Sequence, residues 1–102
     1  MKMVLRQEEY AFLTELLKVV DKHSFDPVYK NIVERMQLMG TDDGINKVIP
    51  IEETDLFNVY DAIGEYINQS ESGNYTPQEK KNMADRAKNL LKVIEEETGT
   101  TY

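Results

Sequence analysis

Apolar residues recur at three- and four-residue steps along most of this chain, which is the spacing of amphipathic α-helices. Four segments show it: residues 7–22, residues 27–39, a segment from residue 54 or 55 to about 68, and residues 77 to about 97. Polar residues occupy the opposite side of each predicted helix. The apolar face of the first segment consists of Tyr10, Leu13, Leu16, Leu17 and Val20.

Turn and capping residues separate these segments. Asp26 followed by Pro27 is typical of a helix start, and Gly40 predicts a left-handed C-terminal cap. Residues 69–75 are polar and contain Gly and Ser, so they predict a loop. Residues 76–79, Thr-Pro-Gln-Glu, form a capping-box pattern, and Gly99 predicts the end of the last helix.

Two short segments are rich in β-branched or aliphatic residues, Met3–Arg6 and Lys47–Ile51. We expect them to pair as an antiparallel ribbon, because residues 4–20 align with residues 50–66 at an offset of 46. An Asp-Gly turn at residues 41–44 precedes the second strand. Each strand would then lead into two helices.

The predicted fold is therefore mainly α: a compact four-helix domain with a short two-stranded β-ribbon in a βαα–βαα pseudo-repeat. One domain is expected over residues 1–102. Its half-repeats would span residues 1–40 and 46–97, with a flexible tail at residues 98–102.

Composition narrows the classes of function. The chain has 102 residues, a net charge of −7 and no cysteine. Disulfides, thiolate metal sites and cysteine nucleophiles are excluded, and the acidic balance argues against direct binding of nucleic acid or anionic membranes. We see no signal peptide and no membrane-spanning apolar run, so we expect a cytoplasmic protein.

No catalytic or metal-binding motif is present, and we predict no catalytic residue, no metal ligand and no cofactor. His23 is the only histidine. Residues 42–53 have the length of an EF-hand loop, but Lys47 stands where that loop needs glycine. Asp61 and Glu65 lie one turn apart on a polar helix face, where we expect solvent and no pocket.

Negative charge is concentrated in the middle of the chain. Residues 41–75 contain eight acidic residues and one base, Lys47, whereas residues 1–25, 26–40 and 76–102 are each neutral. Such a one-sided field favours a basic partner. The alternative is an acidic surface that only confers solubility.

These observations nominate two groups of surface residues. The predicted partner-binding residues are Asp42, Asp43, Glu52, Glu53, Asp55, Phe57, Asp61 and Glu65. The second group lies at the margins of the apolar faces or on the basic side of the last helix, where it would make edge or dimer contacts. It consists of Phe12, Val19, Leu38, Lys81, Lys88 and Lys92.

The function predicted from the sequence is a small acidic, non-enzymatic protein-interaction module that acts as a regulator, adaptor or inhibitor. One alternative is an inhibitor encoded by a phage or mobile element, directed at a basic or nucleic-acid-binding host protein. Another alternative is a homodimeric structural module.

Overall fold

The computed structural model describes residues 1–101, in which four helices surround a small antiparallel sheet and 68% of the chain is helical. The mainly α fold predicted from the sequence is confirmed. In chain order the elements are β1 (Lys2–Arg6), α1 (Gln7–Asp21), α2 (Val28–Met39), β2 (Thr41–Asp42), β3 (Asn46–Pro50), α3 (Glu53–Ser72) and α4 (Pro77–Thr98).

The predicted pairing of the two strands is confirmed, with β1 antiparallel to β3 and Val4 opposite Val48. The ribbon, however, has a third strand in the described residues, because β2 pairs with the other edge of β3. A turn makes this possible: Asp43 Oδ1 accepts from the backbone N–H groups of Ile45 and Asn46 at 3.0 and 2.7 Å. Gly44 has a φ of 99° there, which returns the chain onto β3.

The helix ends follow local chemistry. Helix α1 follows β1 with no intervening residue, and the Glu9 carboxylate accepts from the Arg6 backbone N–H at 2.8 Å. At the start of α4, Thr76 Oγ1 accepts from the Glu79 N–H and Glu79 accepts from the Thr76 N–H, as the capping box predicts. Gly99 ends α4 in the left-handed conformation.

One predicted helix end is wrong. Helix α3 continues to Ser72, so most of the loop predicted at residues 69–75 is helical. The hydroxyls of Ser70 and Ser72 donate to backbone carbonyls of the preceding turn, so both hydroxyls have acceptors within the helix.

Gly40 is extended, with φ −69° and ψ 141°, and not left-handed as predicted. The extended conformation is required because the next residue already belongs to β2. Glycine serves here through its size: a Cβ at this position would lie 2.6 Å from the carbonyl oxygen of Met36.

One hydrophobic core joins the sheet to the four helices. Met3, Leu5 and Ile49 contribute from the sheet, and Leu16 and Ile63 are fully buried between the helices. Tyr60 is also fully buried; its hydroxyl donates to the carbonyl of Thr100 at 2.8 Å. Part of the segment predicted as a flexible tail therefore contacts the core, while Tyr102 lies outside the described residues.

Helices α1 and α3 begin 46 residues apart, which equals the offset of the proposed internal repeat. The second half has longer helices, and strand β2 lies between the two halves. The half-repeats 1–40 and 46–97 stay a prediction. None of the helices in residues 1–101 combines the length and the apolar character needed to span a bilayer.

Gly40→Ala should lower the free energy of unfolding by about 1–3 kcal/mol, because the new methyl group must displace the Met36 carbonyl. Urea unfolding monitored by circular dichroism measures this loss. The exposed Gln37→Ala is the control and should change stability by less than about 0.5 kcal/mol. Equal stability of the two variants would contradict the steric argument.

Tyr60→Phe should cost about 0.5–1.5 kcal/mol, since it removes the hydroxyl that holds Thr100 and leaves the carbonyl of Thr100 without this donor. Hydrogen exchange should also accelerate at Gly99–Thr101 more than in α1. Exchange that is unchanged at the C-terminus would show that this hydrogen bond does not hold the segment.

Candidate interaction surface

Helix α3 presents a line of exposed side chains opposite its buried side, three of them acidic. Glu53, Phe57, Asp61 and Glu65 follow one another at four-residue intervals and are all exposed. We call these four residues the acidic face. The buried side of the same helix consists of Leu56, Val59, Tyr60, Ala62, Ile63 and Ser70.

The predicted acidic residues outside the acidic face make different contacts, and the first of them is Asp42. Asp42 lies in β2, where its carboxylate accepts from Gln7 Nε2 at 2.8 Å and from Lys47 Nζ at 3.3 Å. The hydrogen bond from Gln7, followed by that from Lys47, holds the pKa of Asp42 below its ordinary value. Asp42 therefore ties the sheet to α1.

Asp43 closes the turn between β2 and β3. The backbone N–H groups of Asn46 and Ile45 donate to its carboxylate, and they lower its pKa from the ordinary value. These bonds occupy the carboxylate within the turn. Asp43 is exposed and lies outside the acidic face, and its predicted role in partner binding stays a prediction.

Asp55 makes a two-pronged ion pair with Arg35 of α2. The guanidinium Nη2 lies 2.7 Å from Oδ1 and Nε lies 3.0 Å from Oδ2. This pair links α2 to α3 and neutralises Asp55 internally. Glu52 is exposed at the N-cap of α3, near the positive end of the helix dipole.

A cleft of about 440 Å³ lies beside the acidic face. Asp61 and Glu65 are exposed as expected, but the expectation that no pocket lies there is wrong. The end of α1, the segment leading into α2 and the first turn of α2 form an opposite wall. That wall consists of Val20, His23, Ser24 and Tyr29, and the α3 wall consists of Asp61, Gly64, Glu65, Asn68 and Gln69. Asp61 and His23 lie 38 positions apart in sequence, so periodicity within one helix cannot reveal the cleft.

Two further features of this region were missed by the sequence analysis. Phe25 is fully exposed in the segment between α1 and α2, next in sequence to Ser24, which lines the cleft. An aromatic residue flanked by turn-forming Ser and Asp-Pro was the available signal. Gln69 Nε2 is buried and has no hydrogen-bond acceptor among the described residues.

The predicted edge residues divide into exposed and buried ones. Leu38 is 85% exposed and Phe57 is 43% exposed, whereas Val19 is half-buried. Phe12 is only 4% exposed, so the expectation that it lies at a surface margin is wrong.

Side chains from two other helices cover Phe12. The Arg86 guanidinium carbon lies 3.9 Å from the centre of its ring, and the Tyr66 ring meets it edge-on at 5.8 Å. A cation over an aromatic ring is a stabilising contact. Burial raises the pKa of the Tyr66 hydroxyl.

Lys81, Lys88 and Lys92 are all exposed on α4. In the part of the chain that the structure describes, the ion pairs join Arg6 to Glu8 and Glu9, Arg35 to Asp55, and Lys47 to Asp42. The three α4 lysines therefore form no ion pair with the acidic face inside one copy of the protein.

Across residues 1–101, no group of three or more His, Asp and Glu side chains is arranged to hold a metal ion. No protein-family model, curated protein or solved structure matches this chain. The geometry and charge of its own residues are consequently the basis for a functional proposal.

Stability should fall as the pH drops below about 4, the ordinary pKa range of Asp. The folded-state pKa values of Asp42, Asp43 and Glu79 are all lowered, so their contribution is present above the ordinary values and is lost as the pH falls through the folded-state values. Asp43→Asn should weaken this pH dependence. Urea midpoints measured between pH 7 and pH 2 test it, and identical slopes for the two proteins would contradict it.

Proposed function

We propose that this protein is a non-enzymatic interaction module that binds a basic protein through the acidic face of α3. The observation that carries the proposal is the row Glu53, Asp61 and Glu65, exposed on one side of one helix. Aligned carboxylates of this kind attract a positively charged surface and accelerate its association. A regulatory, adaptor or inhibitory role in the cytoplasm is part of this proposal.

Exposed aromatic residues support a specific protein interface, beyond a general electrostatic attraction of positively charged molecules. Phe57 lies between Glu53 and Asp61 on the acidic face, and Phe25 is fully exposed in the segment between α1 and α2. Aromatic side chains are enriched where binding energy is concentrated in protein interfaces. We therefore place the partner across α3 and the segment between α1 and α2.

A second copy of the same chain is the alternative partner. The exposed Lys81, Lys88 and Lys92 on α4 carry the charge that complements the acidic face. Contact between the acidic face of one copy and α4 of another would then explain why these lysines have no carboxylate partner on α3. Self-association driven in this way decreases with salt.

Reversing two charges on the acidic face, Asp61→Lys with Glu65→Lys, should reduce partner capture at least tenfold at low salt. The matched control, Glu96→Lys with Glu97→Lys, makes the same change in net charge on the exposed end of α4 and should retain capture. Carbodiimide cross-linking in a lysate of the source cells, followed by mass spectrometry, measures capture. It also identifies which carboxylates join partner lysines.

Cross-links through Glu53 that disappear in the first variant support the proposal, because that variant keeps the Glu53 carboxylate. Equal capture by both variants would contradict it. Sedimentation of the purified protein at low and high salt distinguishes the two candidate partners. A dimer that dissociates at high salt would identify a second copy of the chain as the partner of the acidic face.

A further inference from the structure

The last turn of α3, residues 69–72, consists of residues that favour a loop when they are not held by other parts of the chain. Two of the four are serines, which are weaker helix formers than alanine, and Gly73 follows directly. Glu71 places a negative charge at the helix end where the macrodipole favours a cation, and the last turn contains no basic residue. Local propensity therefore does not explain why α3 continues to Ser72.

The end of α3 also lacks the backbone cap that closes the other three helices. The N–H groups of Lys22, Gly40 and Gly99 donate to carbonyls in the last turns of α1, α2 and α4. Gly73 is extended, with φ −78° and ψ 169°, and its N–H makes no backbone hydrogen bond in residues 1–101. The carbonyls at the end of α3 consequently lack this donor.

Gln69 carries a buried amide that the helical turn leaves unpaired. Its Nε2 has no hydrogen-bond acceptor among the described residues. Water would supply an acceptor if the side chain were exposed, so burial of this donor destabilises the helical turn relative to an open one. Three separate features of this turn, its residue types, its missing cap and its buried donor, thus act in the same direction.

Tertiary contacts oppose these features and keep the turn helical. Ser70 is fully buried against the rest of the protein. Beyond Gly73, Pro77 and the reciprocal hydrogen bonds between Thr76 and Glu79 fix the first turn of α4. Opening of the last turn of α3 can therefore end at this connection and leave α4 intact.

We propose that residues 69–72 form a conformational switch at the end of the cleft beside the acidic face. They exchange between the helical turn described above and an open, non-helical segment while the rest of the protein stays folded. Gln69 lines the cleft from the α3 side, so opening removes part of that wall. The motion belongs to the free protein, and a molecule that contacts the cleft in only one of the two forms would shift their populations.

Amide hydrogen exchange of the full chain, measured residue by residue by NMR, tests the switch. Residues 96–98, in the last turn of α4, are the internal reference because they occupy the equivalent positions before a glycine. Protection factors, which correct for intrinsic exchange rates, should be at least tenfold lower at residues 70–72 than at residues 96–98. They should be at least a hundredfold lower than at Ile63, in the buried middle of α3.

Two variants should stabilise the helical form of the turn. Gln69→Met removes the buried donor at similar side-chain length and should raise protection at residues 70–72 at least fivefold. Glu71→Lys places a cation at the negative end of the helix and should raise it about two- to fivefold.

Each variant has a matched control that should leave residues 70–72 unchanged. Gln37→Met makes the first substitution on the exposed side of α2. Glu97→Lys makes the second at the equivalent position of α4, one residue before the helix ends.

Relaxation dispersion connects the turn to the cleft. The amides of His23 and Ser24, on the opposite wall, should show the same exchange rate constant as residues 70–72, and Gln69→Met should reduce their dispersion. Equal protection at the ends of α3 and α4, or no increase in either variant, would overturn the switch. Fast exchange at residues 70–72 without dispersion at His23 and Ser24 would show that the turn opens without changing the cleft, which would overturn its assignment to the cleft.

Discussion

The pairing of β1 with β3 is the constraint on which the rest of this structure depends. It joins the first residues of the chain to its middle and buries Met3, Leu5 and Ile49 under the helices. Because α1 follows β1 directly and α3 begins shortly after β3, the strand register also sets where both central helices start. Closing so long a loop costs entropy, which the burial of these side chains offsets.

This arrangement explains why acidic side chains of α3 are exposed to solvent. One side of α3 packs against the other helices, so its polar side must face outward along its whole length. Asp42 and Asp43 accept hydrogen bonds within the sheet and the turn, and Asp55 forms an ion pair with Arg35. Exposed ion pairs add little to the free energy of unfolding. The main effect of the Arg35 pair is therefore to cancel the negative charge of Asp55. The acid on α3 that is left facing solvent is the basis of the proposed interaction.

Contacts between helices decide the exposure and surroundings of residues that look similar in sequence. Phe12 and Phe57 both lie at the margin of an apolar face. Arg86 and Tyr66 cover Phe12, while Phe57 remains exposed. The connection between α1 and α2 likewise turns part of an ordinary polar helix face, at Asp61 and Glu65, into one wall of a cleft. In both cases the neighbour comes from a distant part of the chain.

The sequence by itself determined the four helices, the antiparallel pairing of the two longer strands, the capping box at Thr76 and the concentration of acid in residues 41–75. Each of these follows from periodicity, capping or composition, which act over a few residues. Only the tertiary structure decided the third strand, the extended Gly40, the burial of Phe12 and the cleft with Gln69. These depend on which surfaces meet in space, and residues far apart in the chain supply those surfaces.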